Sequence, residues 1–198
     1  MGKLLVTGPT VEPITYADFI YHDRMDLYDE SIDEASILYI EGLILAVRMD
    51  VEKYLNRALI TQTWKYYLDD FPDEYFIELP MPPLRSVESV KYTDSGGTVT
   101  PMVDGTDYLV DTISLKGRIL LPYSKSWPSI IPYPMNAVEI EFICGYGDPE
   151  NIPQPIKNAM LLQIASLYDN RESVVAGQPI HKTDTAELLL WPYRVFGF

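Results

Sequence analysis

The sequence predicts an α+β fold, in which a helical bundle is interrupted by an antiparallel β insertion and followed by an extended C-terminal tail. Two segments with helical spacing of apolar residues lie near residues 31–57 and 155–171. Between them, runs of strand length recur roughly every ten residues with turn residues between them, which favours hairpins. After them, residues 188–198 are mostly apolar and aromatic, and no remaining helix or sheet obviously needs their side chains.

The first part of the chain carries two helix-start signals. Thr15 is followed three residues later by Asp18, which predicts a capped short helix over residues 16–24. Ser31 and Glu34 have the spacing of a capping box, in which each side chain binds the backbone of the other residue. The long helix is therefore predicted to begin at this box.

The long helix has one continuous apolar face. Its members are separated alternately by three and four residues: Ile37, Ile40, Ile44, Val47, Val51 and Tyr54. Gly42 interrupts this helix, at a cost of roughly 1 kcal/mol relative to alanine. A glycine at this place either permits the close approach of another helix or is simply tolerated, and the sequence leaves both explanations open.

The predicted β insertion begins near Leu59, where the apolar period changes to two. The first run, "LITQTWKYYLDDF", is rich in the Thr, Trp and Tyr residues that favour strands. Further runs of strand length follow it: "EYFIELP", "SVESVKYTD", "DYLVD", "ISLKGRILL" and "NAVEIEFICGY". Glycine-containing turn signals separate several of these runs, so neighbouring strands are predicted to pair antiparallel.

The last helix is predicted to begin near Pro155, because proline suits the first helical turn. Its apolar residues cover most of its circumference, so it must pack on more than one side, and the long helix is its obvious partner. The chain is therefore predicted to divide into a helical bundle (1–58 and 151–175), an antiparallel β insertion (59–150) between the long helix and the last helix, and a C-terminal docking tail (176–198).

The tail holds three residue types that carry much of the binding energy in interfaces. Trp191, Tyr193 and Arg194 lie within four positions of one another. Such a segment either packs on its own protein or docks on another. We expect deletion of residues 186–198 to leave the fold intact and to abolish docking.

Composition excludes several classes of protein. The net charge of −14 argues against binding to nucleic-acid phosphates, which requires clustered Lys and Arg. There are 5 basic and 11 acidic groups over residues 1–57, 6 and 14 over residues 58–150, and 4 and 4 over residues 151–198. Cys144 is the single cysteine, so no internal disulfide can form, which fits a reducing compartment. No membrane span or signal peptide is indicated.

Catalytic, metal and cofactor motifs are not indicated by the sequence. His22, His181 and Cys144 are far apart and lack the spacing of a zinc or nucleophile site. Gly145-Tyr146-Gly147 matches neither a phosphate loop nor a dinucleotide fingerprint. We therefore expect these glycines to end the last strand and turn the chain, and we expect no enzyme and no cofactor.

A carbohydrate-binding or glycoside-hydrolysing β-rich protein is the main alternative. The pairs Asp69-Asp70 and Asp73-Glu74 supply carboxylates, although paired acids more often form a solvated face than a catalytic cleft. Aromatic residues could form a platform for sugars: Trp64, Tyr66, Tyr67, Trp127 and Tyr133. A third possibility is a small regulator that uses the tail as a peptide ligand.

Soft motifs occur in a characteristic order over about residues 31–195. They include "LP-x-PPL-x-SV-x-SV-x-Y", then "GYG…P-x-x-IK-x-A…Y-x-NRE", and finally "LLLWPYRV". In this order and spacing the chain resembles the head–tail connector, or adaptor, proteins of tailed bacteriophages. The first 14 residues have no counterpart in that pattern.

The resemblance implies a structural virion protein without catalysis or membrane contact, assembled in the bacterial cytoplasm and located at the head–tail interface. It implies a ring of about twelve copies under the portal protein, followed by a tail-completion or stopper protein, with DNA passing through. Docking on the portal would fall to the C-terminal segment, with Leu188, Leu190, Trp191, Pro192, Tyr193, Arg194 and Phe196. Arg171 and Glu172 would hold the bundle or a contact between subunits.

The charge of the chain agrees with these implications. An acidic channel repels phosphate and keeps a duplex mobile, whereas a basic groove would bind it. A ring of subunits that each carry −14 also repels itself, so apolar contacts must hold the ring together.

Overall fold

The structure is a computed structural model that describes residues 1–23, 34–169 and 184–197. The chain divides into two units, and each unit draws on two separate stretches of sequence. The β unit consists of Met1–Thr10 and Thr61–Tyr146, and the helical unit consists of Val11–Ile60 and Gly147–Gly197.

Within the described residues, four α-helices build the helical unit. They are α1 (Tyr16–His22), α2 (Glu34–Leu55), α3 (Gln154–Asp169) and α4 (Asp184–Leu190). Helix α3 packs against both α2 and α4, and α1 contacts α2 and α3. The two helices predicted to share a core, α2 and α3, are therefore in contact although about a hundred residues separate them along the chain.

Helix α1 begins at the cap that the sequence predicts at Thr15, and this cap is a full capping box. The hydroxyl of Thr15 accepts a hydrogen bond from the backbone N–H of Asp18, whose carboxylate in turn accepts the backbone N–H of Thr15 at 2.7 Å. Phe19 is buried, and its ring meets the ring of Tyr168 edge-on at 5.5 Å between centroids. The capping box predicted from Ser31 and Glu34 involves Ser31, which lies outside the described residues.

Helix α2 buries one face along its whole length. The buried apolar members are Ile40, Ile44, Val47, Val51 and Leu55. Ile37 and Tyr54, which were predicted on the same face, are half-buried. The three-and-four spacing therefore identified the inner side of this helix.

The β unit contains two antiparallel sheets. The larger sheet has the strand order β1-β2-β8-β4-β5, and the smaller one has the order β3-β7-β6. Their bounds are β1 (Gly2–Thr7), β2 (Gln62–Leu68), β3 (Phe76–Glu78), β4 (Leu84–Thr93), β5 (Val99–Met102), β6 (Leu109–Asp111), β7 (Arg118–Leu120) and β8 (Val138–Cys144). Strand β8 lies at the centre of the larger sheet and buries Ile140 and Phe142 on one of its faces.

One glycine allows a close approach inside the β unit. A Cβ atom on Gly117 would overlap the side chain of Leu84. The backbone carbonyl of Gly117 also accepts the N–H of Leu79 at 2.8 Å. The Lys116-Gly117 turn signal therefore marks a packing contact as well as a turn.

Two segments differ from the sequence prediction. Residues 1–58 were assigned to the helical bundle, but Gly2–Thr7 form strand β1, which pairs with β2. Its neighbour lies sixty residues away in sequence, so local periodicity carries no signal for it. The tail, predicted to be extended, is helical at Asp184–Leu190 because Ala186 and Leu190 bury one side of that helix.

Candidate interaction surface

The end of the chain is anchored on the end of α2. After a 3₁₀ turn at Trp191–Tyr193, the backbone N–H of Val195 donates to the carbonyl of Leu55 at 2.9 Å. The side-chain amide of Asn56 donates to the carbonyl of Val195 at 2.9 Å, and Arg57 Nε donates to a carbonyl within the turn. These bonds use backbone atoms, so they fix the path of the segment and leave its side chains free to differ in exposure.

Arg194 is held among three aromatic rings. Its guanidinium lies 4.8 Å from the ring centroid of Tyr54, 5.1 Å from that of Phe196 and 6.0 Å from that of Trp191. Trp191 and Phe196 also meet edge-on, with 5.5 Å between centroids. Cation–π contacts of this kind stabilise a side chain in one orientation. The Nε atom of Arg194 is buried and has no hydrogen-bond partner among the described residues.

Several apolar side chains of the same C-terminal segment face solvent. Leu188 is 74% exposed, Trp191 is 56% exposed and Phe196 is 57% exposed. We call Leu188, Trp191, Arg194 and Phe196 the C-terminal patch. Exposed Trp and ordered Arg are the residue types that dominate binding at interfaces, and an exposed cluster of large apolar residues commonly marks a contact site.

The residues of this segment that the sequence predicts to dock on a partner differ in their exposure. Leu188, Trp191, Pro192 and Phe196 are exposed, and Tyr193 and Arg194 are half-buried. Leu190 is 1% exposed, so its side chain belongs to the core of the helical unit and not to a docking surface. Arg171 and Glu172 lie outside the described residues.

The expected effect of deleting residues 186–198 also changes. Ala186, Leu190 and Val195 are buried, so the deletion would remove part of the helical unit's own core. The segment is therefore both core and surface, which the sequence treated as alternatives. Point substitutions in the C-terminal patch separate the two roles.

A buried ion network in the helical unit escaped the sequence analysis. Arg48 Nε donates to Glu12 at 2.7 Å, and Arg48 Nη1 donates to Glu52 at 2.8 Å. The other carboxylate oxygen of Glu52 accepts the backbone N–H of Leu59 at 2.9 Å. Only the i, i+4 spacing of Arg48 and Glu52 could have indicated part of this network, because Glu12 is remote in sequence.

Most basic side chains of the β unit form ion pairs with acidic neighbours. Lys65 contacts Glu139 at 3.0 Å and Glu141 at 3.6 Å, and the hydrogen bond from Lys65 to Glu139 is the main factor that raises the lysine pKa. The other ion pairs described within the unit join Lys91 to Glu139, Lys116 to Glu78, Arg118 to Asp111, Lys125 to Asp107 and the amino group of Met1 to Asp69. Since the chain has almost twice as many acidic as basic groups, this pairing leaves a surplus of negative surface.

Asp111 has a local network of its own. Its carboxylate accepts the Ser114 hydroxyl at 2.6 Å, the backbone N–H groups of Ile113 and Ser114, and Arg118 Nε at 2.9 Å. These bonds, with that from the Ser114 hydroxyl the largest contribution, lower the pKa of Asp111 below its usual range. The network holds the connection between β6 and β7.

The aromatic residues considered as a sugar platform do not share one face. In β2, Trp64 and Tyr66 point to one side and Tyr67 to the other, because side chains alternate along a strand. The ring of Trp127 stacks on that of Phe71 with 5.2 Å between centroids, and its Nε1 donates to a backbone carbonyl.

An open cleft of about 570 Å³ also lies in the β unit. Its acidic residues include Asp69, Asp70 and Glu78. Asp69 accepts the backbone N–H of Asn136 at 2.9 Å, and Asp70 accepts that of the next residue. Glu78 is paired with Lys116. The carboxylates of Asp69, Asp70 and Glu78 therefore make structural contacts within the β unit.

The remaining chemical candidates have simple structural positions. Cys144 is fully buried at the end of β8, and Gly145, with a φ of 107°, turns the chain there as the sequence predicts. Within residues 1–23, 34–169 and 184–197, no group of three or more His, Cys, Asp or Glu residues could hold a metal ion. His22 ends α1, and His181 lies outside the described residues. Of the helices described, none combines the length and apolarity that crossing a membrane requires.

No family model and no curated protein matches this chain. Solved structures of similar fold exist, and three of them come from gene transfer agent (GTA) particles. A chain from the neck of the empty particle, computed with C6 symmetry, is 21% identical with a TM-score of 0.77, and the match covers 100% of this chain and 97% of that one.

The other two structures give a similar result. A chain from the virion of the native particle is 23% identical over 100% of this chain and 97% of that one, with a TM-score of 0.75. A chain from the neck of the native particle, computed with C12 symmetry, is 22% identical over 98% and 97%, with a TM-score of 0.67. At these identities the likeness establishes a shared fold over nearly the whole length.

Proposed function

We propose that this chain is a structural neck protein of a tailed phage or phage-like particle, and that it joins the head to the tail as a ring-shaped adaptor. The observation that carries this proposal is the fold shared over nearly the full length with neck and virion chains of GTA particles. The order of sequence motifs, which resembles phage connectors, supports the same role independently.

In the proposed assembly, copies of the chain form a closed ring of about twelve subunits through heterologous contacts. The C6 and C12 symmetries of the similar neck structures support a ring of identical chains. Because each subunit carries −14, contacts between neighbours must exclude charge and rely on apolar surface.

The C-terminal patch is the proposed docking surface for the portal protein. Its exposed Trp191 and Phe196 offer large apolar area, and Arg194 is already held in place by stacking. A side chain that is ordered before binding loses less entropy when the partner arrives. Leu188 extends the same surface by one turn of α4.

The acidic surplus suits a channel through which DNA slides. Most Lys and Arg side chains of the β unit form ion pairs within the unit, so few of them remain to bind DNA phosphates. We therefore propose that DNA passes through the ring without specific binding and that a stopper or tail-completion protein adds on the far side. The protein would be assembled in the bacterial cytoplasm and remain in the virion.

Electron microscopy of this protein mixed with the portal protein of the same particle tests the proposal. We expect an additional ring of subunits on the portal. Trp191→Ala should weaken docking about thirtyfold or more, since hot-spot truncations cost about 2 kcal/mol or more. Ile113→Ala is a matched control, because Ile113 is an exposed apolar residue of the β unit, outside the patch.

Two results would contradict the proposal at different levels. Portal particles that carry no added density with the unaltered chain would refute the neck function. Rings that form equally well with Trp191→Ala and Phe196→Ala would leave the neck function standing and refute the assignment of the C-terminal patch.

A further inference from the structure

Helix α2 has a second apolar face, opposite its buried one. Leu38 is 61% exposed, Leu45 is 45% exposed and Met49 is 59% exposed. Ala35, Gly42 and Ala46 are exposed beside them. We call this set the α2 stripe: Ala35, Leu38, Gly42, Leu45, Ala46 and Met49. Each of these residues keeps a large part of its surface exposed.

The spacing of the stripe is that of a helix–helix seam. Residues 35, 38, 42, 45 and 49 alternate by three and four positions, which is the pattern by which two helices interdigitate. The stripe runs for about 21 Å along the helix at 1.5 Å per residue. A helix that is apolar on both sides must be covered on both sides to be stable in water.

Gly42 gives an independent indication of close approach. A Cβ atom on Gly42 would meet no atom of the described residues within 4 Å, so none of these residues requires a glycine there. Glycine nevertheless weakens a helix by roughly 1 kcal/mol relative to alanine. Small residues at a seam let the backbones of two helices come near each other, as Gly42 and Ala46 would allow here.

The charge distribution selects another copy of this chain as the partner. Between residues 35 and 49, Glu41 is the one exposed charged residue on a chain of net charge −14. Acidic surfaces of two copies repel each other, but along the stripe two copies can approach with little of that repulsion. A closed ring also requires a subunit contact distinct from the surface that docks on the portal.

We propose that the α2 stripe is the contact between neighbouring copies in the ring, packed against a helix of the adjacent subunit. This inference rests on the proposed neck function and assigns a surface to it. The C-terminal patch then serves the portal, and the α2 stripe serves the ring.

The double variant Leu45→Glu/Met49→Glu tests the assignment. Both side chains are exposed in the single chain, so the melting temperature should stay unchanged. Burying two such side chains typically strengthens association about a hundredfold or more, so contact between copies should weaken by about that factor. Sedimentation of the chain and microscopy of its mixture with portal measure this, with Ile113→Glu as the control for an added surface charge.

The outcomes separate the two proposals. If the variant still binds portal as scattered single subunits but forms no complete ring, the inference is supported. If the variant forms rings as readily as the unaltered chain, the α2 stripe is not the contact, although the neck function stands. If the unaltered chain forms no ring on the portal, the neck function fails and the inference fails with it.

Crosslinking identifies what covers the stripe. A photoreactive benzoyl-phenylalanine at position 45, in a mixture of ¹⁴N- and ¹⁵N-labelled chains on portal, should give crosslinked peptides that combine both labels. Crosslinks confined to one chain, for example to residues 24–33 or 170–183, would overturn the inference, as would crosslinks to portal alone. A clear fall in the melting temperature of the double variant would point to the same internal cover.

Discussion

The helical unit and the β unit distribute charge and apolar surface in opposite ways. In the helical unit, the side chains of Arg48 and Glu52 pair beneath the surface, whereas the α2 stripe faces solvent. In the described part of the β unit, both partners of every ion pair are at least one-fifth exposed. Its own exposed apolar residues lie mainly in loops and at the edges of the sheets.

This difference indicates which unit depends on partners. Buried charges demand a fixed geometry, because an unpaired charge inside a protein is very unfavourable. An exposed apolar helix face, in contrast, contributes nothing to the stability of the single chain. The helical unit therefore combines a rigid interior with outer surfaces suited to contact, while the β unit is closer to a self-sufficient sheet protein.

Removing one member of the buried network should produce the largest effect. Arg48→Ala leaves Glu52 buried without its cation, and the free energy of unfolding should fall by about 3–5 kcal/mol. Lys65→Ala, the matched change in the β unit, should cost only about 0–1 kcal/mol because that pair is partly solvated. Urea denaturation measures both variants. If both variants lost the same free energy of unfolding, the buried pair of the helical unit would not differ from the partly solvated pair of the β unit.

Replacing Gly117 and Gly42 by alanine should change the stability of the protein in opposite directions. Gly117→Ala places a methyl group into Leu84, and overpacking of this kind should lower stability by about 1–3 kcal/mol. Gly42→Ala meets open space in a helix and should raise stability by roughly 1 kcal/mol. Thermal unfolding at low protein concentration, where copies do not associate, measures both changes. If Gly117→Ala raised stability instead, the contact between Gly117 and Leu84 would be less tightly packed than the structure shows.

The cap of α1 should contribute less. Thr15→Ala removes the acceptor for the backbone N–H of Asp18 and should lower the free energy of unfolding by about 1 kcal/mol. Thr15→Ser keeps the hydroxyl and serves as the control. If the two variants unfold alike, the cap is not what holds α1 in place.

Asp111 should give the smallest and most pH-dependent effect. Its pKa in the folded protein is lowered, so its ionised form stabilises the fold at pH values above the unfolded-state pKa of about 3.9. That contribution is lost as the pH falls through the folded-state pKa. The stability difference between the unaltered chain and Asp111→Asn should therefore be larger at pH 7 than at pH 3. A difference that grows on acidification would contradict this assignment of the network.

Sequence reasoning was most informative where structure is local. The three-and-four spacing placed the buried face of α2, and Thr15 with Asp18 placed the start of α1, because both signals lie within a few residues of the feature they determine. The strand-length runs located six of the eight strands, β2, β3, β4, β6, β7 and β8.

Contacts between segments that are distant in sequence could not be predicted from such local signals. Strand β1 depends on pairing with β2, and the strand order of the two sheets depends on several such choices. Arg48 pairs with Glu12, which lies 36 residues away in sequence, and Arg194 contacts Tyr54, which is much farther away in sequence. The tail looked like unused apolar sequence because its partners lie on α3 and at the end of α2, and the end of α2 is remote from the tail in sequence.

The order in which the two units use the chain has a consequence for biosynthesis and for gene design. The β unit takes its edge strand β1 from ahead of all the helices, so a gene fragment that begins at Thr61 yields a sheet whose β2 strand has a bare edge. Unpaired edges recruit other strands, and in this fragment β2, which is an inner strand of the full sheet, would become such an edge. On the ribosome, β1 is synthesised before β2 and α2 before α3, so each unit must wait for a partner that lies much later in the chain.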